Sequence, residues 1–243
     1  MRQYIPFMSQ GSFHTTRWTV IRAARNKSEP GSTEALAALC EAYWYPLYFF
    51  VRRLGNDADD ARDLTQGYFL NLMERNYLDT VREDAGKFRS FLLASMKHYL
   101  ANVKRDAAAL KRGGGEVPIS LDADDAESRY RLEPVDEVTP ERAYEKRWAL
   151  AVIERAKKNL QGDFEGAGKG RHFTLLAGHL SGCGDAKPYK EIARELETTE
   201  AAVKMSVSRM RRQFGRALRD QIADTVDSTE DVDAEVKYLL TIV

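Results

Sequence analysis

The stretch Tyr189-Lys190-Glu191-Ile192-Ala193-Arg194-Glu195-Leu196-Glu197-Thr198-Thr199-Glu200-Ala201-Ala202-Val203-Lys204-Met205-Ser206-Val207-Ser208-Arg209-Met210-Arg211-Arg212 decides how this chain is read. Tyr189, Ile192, Ala193 and Leu196 recur at helical spacing, and after Glu197 to Thr199 a second periodic run begins with Val203, Val207, Met210 and Phe214. The pattern predicts two short helices meeting at a tight turn. At about 100° per residue, the second run puts its four apolar residues on one narrow stripe and sets Ala201, Lys204, Met205, Ser208 and Arg212 opposite. From Ala201 to Arg219 there are six basic residues and no acidic one. One face packs and the other is free to meet phosphates and base edges, which is what a DNA-binding helix-turn-helix requires. The same residues also suit an ordinary helical hairpin with a solvated basic face. Glu197 stands in the turn where glycine is easiest, at some cost if that position needs positive φ.

The 243 residues carry a formal net charge of zero, but the charge is unevenly distributed. Lys87 to Arg112 has seven basic residues against Asp106, and Gly113 to Val138 has eight acidic residues against two basic. Asp220 to Val243 has seven acidic residues against one basic. Two basic segments alternate with two acidic ones, as expected of two DNA-contacting modules joined by a self-repelling linker. Cys40 and Cys183 are far apart and have no ligand partners at metal spacing, so neither a disulfide framework nor a zinc site is indicated. No signal peptide or membrane span is visible, and a cytoplasmic protein is expected.

Taken in order, residues 1–32 form an N-terminal extension in which Thr15 or Thr16 could cap a short helix and Trp18 reads as a core anchor. Leu36, Leu39, Cys40, Tyr43, Leu47, Phe50, Val51 and Leu54 mark an amphipathic helix over 33–54, which Pro46 should kink or split. A second helix starts with Asp57 or Asp59 as cap and turns Ala61, Leu64, Tyr68, Phe69, Leu72 and Met73 inward. A third opens at Phe88, with Phe91, Leu92, Ser95, Met96, Tyr99 and Val103 on one face and a basic exterior suited to unpaired bases and phosphates. Residues 113–138 have too few periodic apolar residues for a packed core and read as a flexible acidic linker. Thr139-Pro140-Glu141 then starts another helix, carried inward by Trp148, Val152, Ile153, Ala156 and Leu160. Val232, Val236, Leu239, Leu240 and Val243 give the acidic tail an apolar edge that could fold back on the protein.

Two tempting motifs fail. Asp59, Asp60 and Asp63 could be metal-binding or acid/base carboxylates, but no His or distant Glu cluster converges on them by pattern, and a solvated or partner-binding face explains them better. Gly162 to Gly170 lacks the Walker spacing at both ends: Asp163 replaces the first glycine, and Gly170 replaces the Ser or Thr after Lys169.

Asp60-Ala61-Arg62-Asp63-Leu64-Thr65-Gln66-Gly67-Tyr68-Phe69-Leu70 resembles the region 2 signature of bacterial sigma-70 family RNA polymerase sigma factors of the extracytoplasmic-function (ECF) type. Gly86-Lys87-Phe88-Arg89-Ser90-Phe91-Leu92 with its basic helix is similar to the family's melting and −10 element segment. Tyr189 to Ala193, Ala202 to Lys204 and Ser208 to Arg212 resemble region 4. Gly67 stands where the family often has Glu, and Glu197 where it often has Gly.

The resemblance implies an all-α fold with a region 2-like domain at 33–112, a linker at 113–138, a region 4-like helix-turn-helix domain at 139–225 and an acidic tail at 226–243. It implies that Asp60, Asp63, Leu64 and Gln66 bind the β′ clamp helices of core RNA polymerase, with the β flap as a second contact of the chain. It assigns Phe88, Arg89, Lys97, His98, Asn102, Lys104 and Arg105, with the loop from Glu74 to Lys87, to the −10 element and its flipped strand. It assigns Lys204, Ser208, Arg211 and Arg212 to the −35 element, with Thr199 near a phosphate at the helix start. Promoter DNA and core polymerase are the expected partners, an anti-sigma factor is a further candidate, and no cofactor, metal or catalysis is expected. The rival expectations are a freestanding helix-turn-helix regulator and, far behind, a metal-dependent nuclease.

Overall fold

Each apolar stripe needs a partner surface, and in the computed structural model of the protein the stripes pack as α-helices throughout. The structure describes residues 32–74, 87–109, 123–131, 139–180, 186–223 and 229–243. In these the helices are α1 (Ser32–Arg53), α2 (Ala58–Glu74), α3 (Phe88–Ala109), α4 (Ala123–Arg131), α5 (Pro140–Gly166), α6 (Gly170–Leu176), α7 (Tyr189–Glu195), α8 (Glu200–Ala223) and α9 (Thr229–Ile242). A short 3-10 turn, Ala177–His179, follows α6. Trp18, Cys183 and the loop between α2 and Lys87 lie outside the described residues.

Local chemistry sets the helix starts. Asp57, rather than Asp59, caps α2 by accepting the Asp60 backbone N–H at 2.8 Å. Thr139 caps α5, its hydroxyl accepting the Arg142 N–H at 3.3 Å, with Pro140 at the first helical position where no N–H is needed. The α1 helix is not split: it runs unbroken through Pro46. Proline there removes the donor that the Ala42 carbonyl would have used four residues earlier. Arg155 of α5 supplies a substitute, its Nη2 donating to that carbonyl at 3.1 Å.

That contact belongs to the most extensive helix interface among the described elements, α1 against α5. One hydrophobic cluster runs from Tyr43, Leu47 and Phe50 of α1 through Tyr68 and Leu72 of α2 and Leu92 and Met96 of α3 to Tyr144, Trp148 and Val152 of α5. It continues into Leu218 and Ile222 of α8 and Val232 and Leu239 of α9. A second cluster joins Leu160, Phe173, Leu176, Ile192, Val203, Val207 and Met210, and Phe214 touches both. Both α5 and α8 carry residues of the two clusters: α5 gives Tyr144 to Ala156 to the first and Leu160 to the second, and α8 gives Leu218 and Ile222 to the first and Val203, Val207 and Met210 to the second.

The stretch expected to be a linker contains α4, which is seated on α1. Glu127 accepts from Tyr48 Oη at 2.6 Å and from Arg52 through both carboxylate oxygens at 3.1 Å. Ala126 is buried, and Tyr130 packs on Phe49 with ring centroids 5.1 Å apart. The acidic residues that made this segment look unstructured include the one that pins it.

Candidate nucleic-acid interface

The turn between α7 and α8 is built by the backbone. Thr198 N–H returns to Ala193 O at 2.9 Å and Glu197 N–H to Arg194 O at 3.3 Å, the paired closing bonds of a Schellman cap. That cap needs a left-handed residue, and Glu197 fills it at φ 51°. Thr199 then caps α8 by accepting the Ala202 N–H at 3.2 Å. Val203, Val207 and Met210 are buried, which aims Ala201, Lys204, Met205, Ser208 and Arg212 at solvent.

Lys204, Ser208, Arg211 and Arg212 line a groove of about 610 Å³ along α8, joined by Tyr189, Arg216 and Arg219. Arg216 and Arg219 belong to the six basic residues between Ala201 and Arg219 but lie outside the expected −35 set, and their spacings of four and seven residues from Arg212 put them on the same groove. Arg211 has a second duty: its Nε donates to His179 O at 3.0 Å, tying α8 to the 3-10 turn. His179 in turn stacks on Tyr189 with centroids 4.6 Å apart, and Lys204 Nζ lies 5.9 Å from the same tyrosine ring.

A second groove, of about 620 Å³, runs between α2 and α3. His98, Asn102 and Arg105 face it at spacings of four and three residues, and Arg105 Nη2 donates to Asn102 Oδ1 at 2.9 Å. Asn71 of α2 and the rings of Phe91, Tyr68 and Tyr99 also line it, with the carboxylate residue Asp106 beside Arg105. The sequence placed these aromatics on the packing face, and only the approach of α2 to α3 turns their edges into a groove. Tyr68 ties the walls together, donating to Leu92 O at 3.3 Å, and burial raises its phenol pKa above the ordinary value. Lys104 is exposed outside the groove lining.

Three members of the expected −10 set are engaged elsewhere. Phe88 is a core residue, 1% exposed, edge-on to Tyr43 at 5.6 Å, so it cannot stack on a base in this conformation. Arg89 is 4% exposed, with its guanidinium paired to Glu235 of α9 and 4.4 Å from the Trp148 ring centroid. Lys97 pairs with Glu141 of α5 at 2.7 Å, and this contact holds the Glu141 carboxyl below its usual range. Phe88 is held by α1, Arg89 by α9 and Lys97 by α5, long-range contacts that helical periodicity does not encode.

On α2, Asp60 and Asp63 are exposed and Leu64 is half-buried. Gln66, expected on the partner face, is buried instead, since it flanks the stripe of Thr65 and Phe69. Among the described residues no group of three or more His, Cys, Asp or Glu could hold a metal ion, and no helix is long and apolar enough to cross a membrane. Comparison with protein-family models, with curated proteins and with solved structures gave no match.

Proposed function

We propose that this chain is a sigma factor of the sigma-70 family, ECF type, which binds core RNA polymerase and directs promoter recognition, DNA melting and transcription initiation in the cytoplasm. The observation that carries this reading is the outward face of α8, where Lys204, Ser208, Arg211 and Arg212 border one groove while Val203, Val207 and Met210 anchor the helix. A helix held by its apolar stripe and presenting a fork of guanidinium groups suits the major groove and flanking phosphates of duplex DNA. Thr199 caps α8 by accepting the Ala202 N–H, a role that leaves its O–H proton able to donate to a phosphate.

The groove between α2 and α3 is the second support. Its rings and its His98, Asn102 and Arg105 suit a single strand, whose bases stack on aromatics and whose edges accept hydrogen bonds. The exposed carboxylates Asp60 and Asp63 would meet the polymerase β′ clamp helices. An acidic surface and a basic one on the same chain fit a protein that bridges another protein to DNA.

The test is co-purification with bacterial core RNA polymerase, comparing wild type with Asp60→Arg and Asp63→Arg. Both sites are exposed, so the fold should survive the charge reversal. A stable complex that the variants lose is the expected result. Duplex binding by the isolated protein with no affinity for polymerase would replace the sigma reading with that of a freestanding regulator.

A further inference from the structure

We propose that α9 is a built-in latch that withholds Lys87 and Arg89 from single-stranded DNA until it detaches; the proposal rests on the DNA-binding reading above. Val232 and Leu239 of α9 are buried and Val236 is half-buried, an apolar stripe at helical spacing. Glu235 lies in that stripe and is 0% exposed, with its carboxylate against Arg89 and Lys87. Apolar seating alone would call for another apolar residue there. Tyr238, one turn further on, stacks its ring 5.2 Å from the Arg89 guanidinium and 5.3 Å from Lys87 Nζ, and its hydroxyl donates to Glu145. Asp233 also takes Nε of Arg219, a residue of the α8 groove, at 3.1 Å.

So α9 draws on the basic residues of both candidate DNA-binding segments. A phosphate needs the same guanidinium fork that Glu235 occupies, so the strand and α9 compete for one donor set. The energetics suit reversibility. Removing one partner of a buried ion pair strands the other charge, but lifting the whole helix returns both charges to water, and the net worth of such a pair is small. The pair therefore fixes where α9 sits without making its departure prohibitive.

The test measures binding of a mixed-sequence single-stranded oligodeoxynucleotide by full-length protein, together with hydrogen exchange of the α9 amides. In Glu235→Gln the α9 amides exchange faster and affinity rises about tenfold, the equivalent of one lost charge-assisted bond. The rise shrinks in Arg89→Gln/Glu235→Gln, because part of the gain acts through that guanidinium and the remainder through Lys87. Leu239→Ala, which weakens the apolar seat and leaves both charges, gives a gain of the same direction should Glu235→Gln fold poorly. Faster exchange with unchanged affinity, unchanged exchange, or an equal gain without Arg89 would each overturn the latch. A different signature, no binding of single-stranded or duplex DNA by any form even with core polymerase, overturns the DNA-binding reading and the latch with it.

Discussion

Gly67 of α2 faces the hydroxyl of Tyr99 on α3 so closely that a Cβ at residue 67 would overlap that oxygen, while lying an ordinary 3.5 Å from the ring carbon that bears it. The close approach belongs to the wall of the α2–α3 groove, and it accounts for glycine within a helix where glycine costs stability. Gly67→Ala alone should destabilise the fold by about 1–2 kcal/mol through overpacking. In a Tyr99→Phe background the same substitution should stabilise by up to ~1 kcal/mol, the helix-propensity gain of alanine over glycine. Urea denaturation of the four proteins in this cycle checks the change of sign.

The Ala42 carbonyl, deprived of its helical donor by Pro46, depends on Arg155. Arg155→Met should cost about 1–3 kcal/mol, the desolvation penalty of a buried acceptor left unpaired. Pro46→Ala restores the helical N–H, and in that background the cost of Arg155→Met should shrink. An unchanged cost would show that Arg155 acts through other contacts.

Glu197 holds a left-handed backbone at φ 51°. Glycine adopts that conformation without the Cβ penalty, so Glu197→Gly should raise stability by roughly 1 kcal/mol. Thermal unfolding is the measurement, and a loss of stability would mean that the glutamate side chain contributes more than its backbone costs.

Arg212 and Arg211 both border the α8 groove, and Arg211 also ties it to the rest of the fold by donating to His179 O. Arg212→Ala should lower duplex affinity about fivefold to tenfold and reduce the log–log salt slope by about one, with stability unchanged. Arg211→Ala should lower affinity and stability together. Titrations at several salt concentrations, paired with denaturation curves, separate the two roles.

Burial raises the phenol pKa of Tyr68 and Tyr144 above the ordinary 10.0, and Tyr144 donates to Arg89 O at 3.1 Å. Above that pH the unfolded chain loses these protons and the folded chain keeps them, so fewer protons are bound in the unfolded state. Stability is then intact below pH 10 and falls as pH rises beyond it, by about 1.4 kcal/mol per pH unit for each buried phenol. Tyr144→Phe should make that fall shallower by one such contribution. Denaturant unfolding between neutral and strongly alkaline pH reads the slope directly.

The sequence by itself determined the longer helices and the apolar stripes they bury, though not α4. The stripe of Val203, Val207 and Met210, the Thr139-Pro140 helix start and the strained position at Glu197 are all local, set by periodicity, capping and φ preference within a few residues. The outward placement of Lys204, Ser208 and Arg212 follows from the same geometry. Only the tertiary structure decided that Arg155 satisfies Ala42, that Glu127 seats α4 on α1, that Gln66 turns inward and that Glu235 meets Arg89. The contacts of Arg155, Glu127 and Glu235 each join two helices, and helical spacing shows that a side chain faces inward without showing what it will meet there.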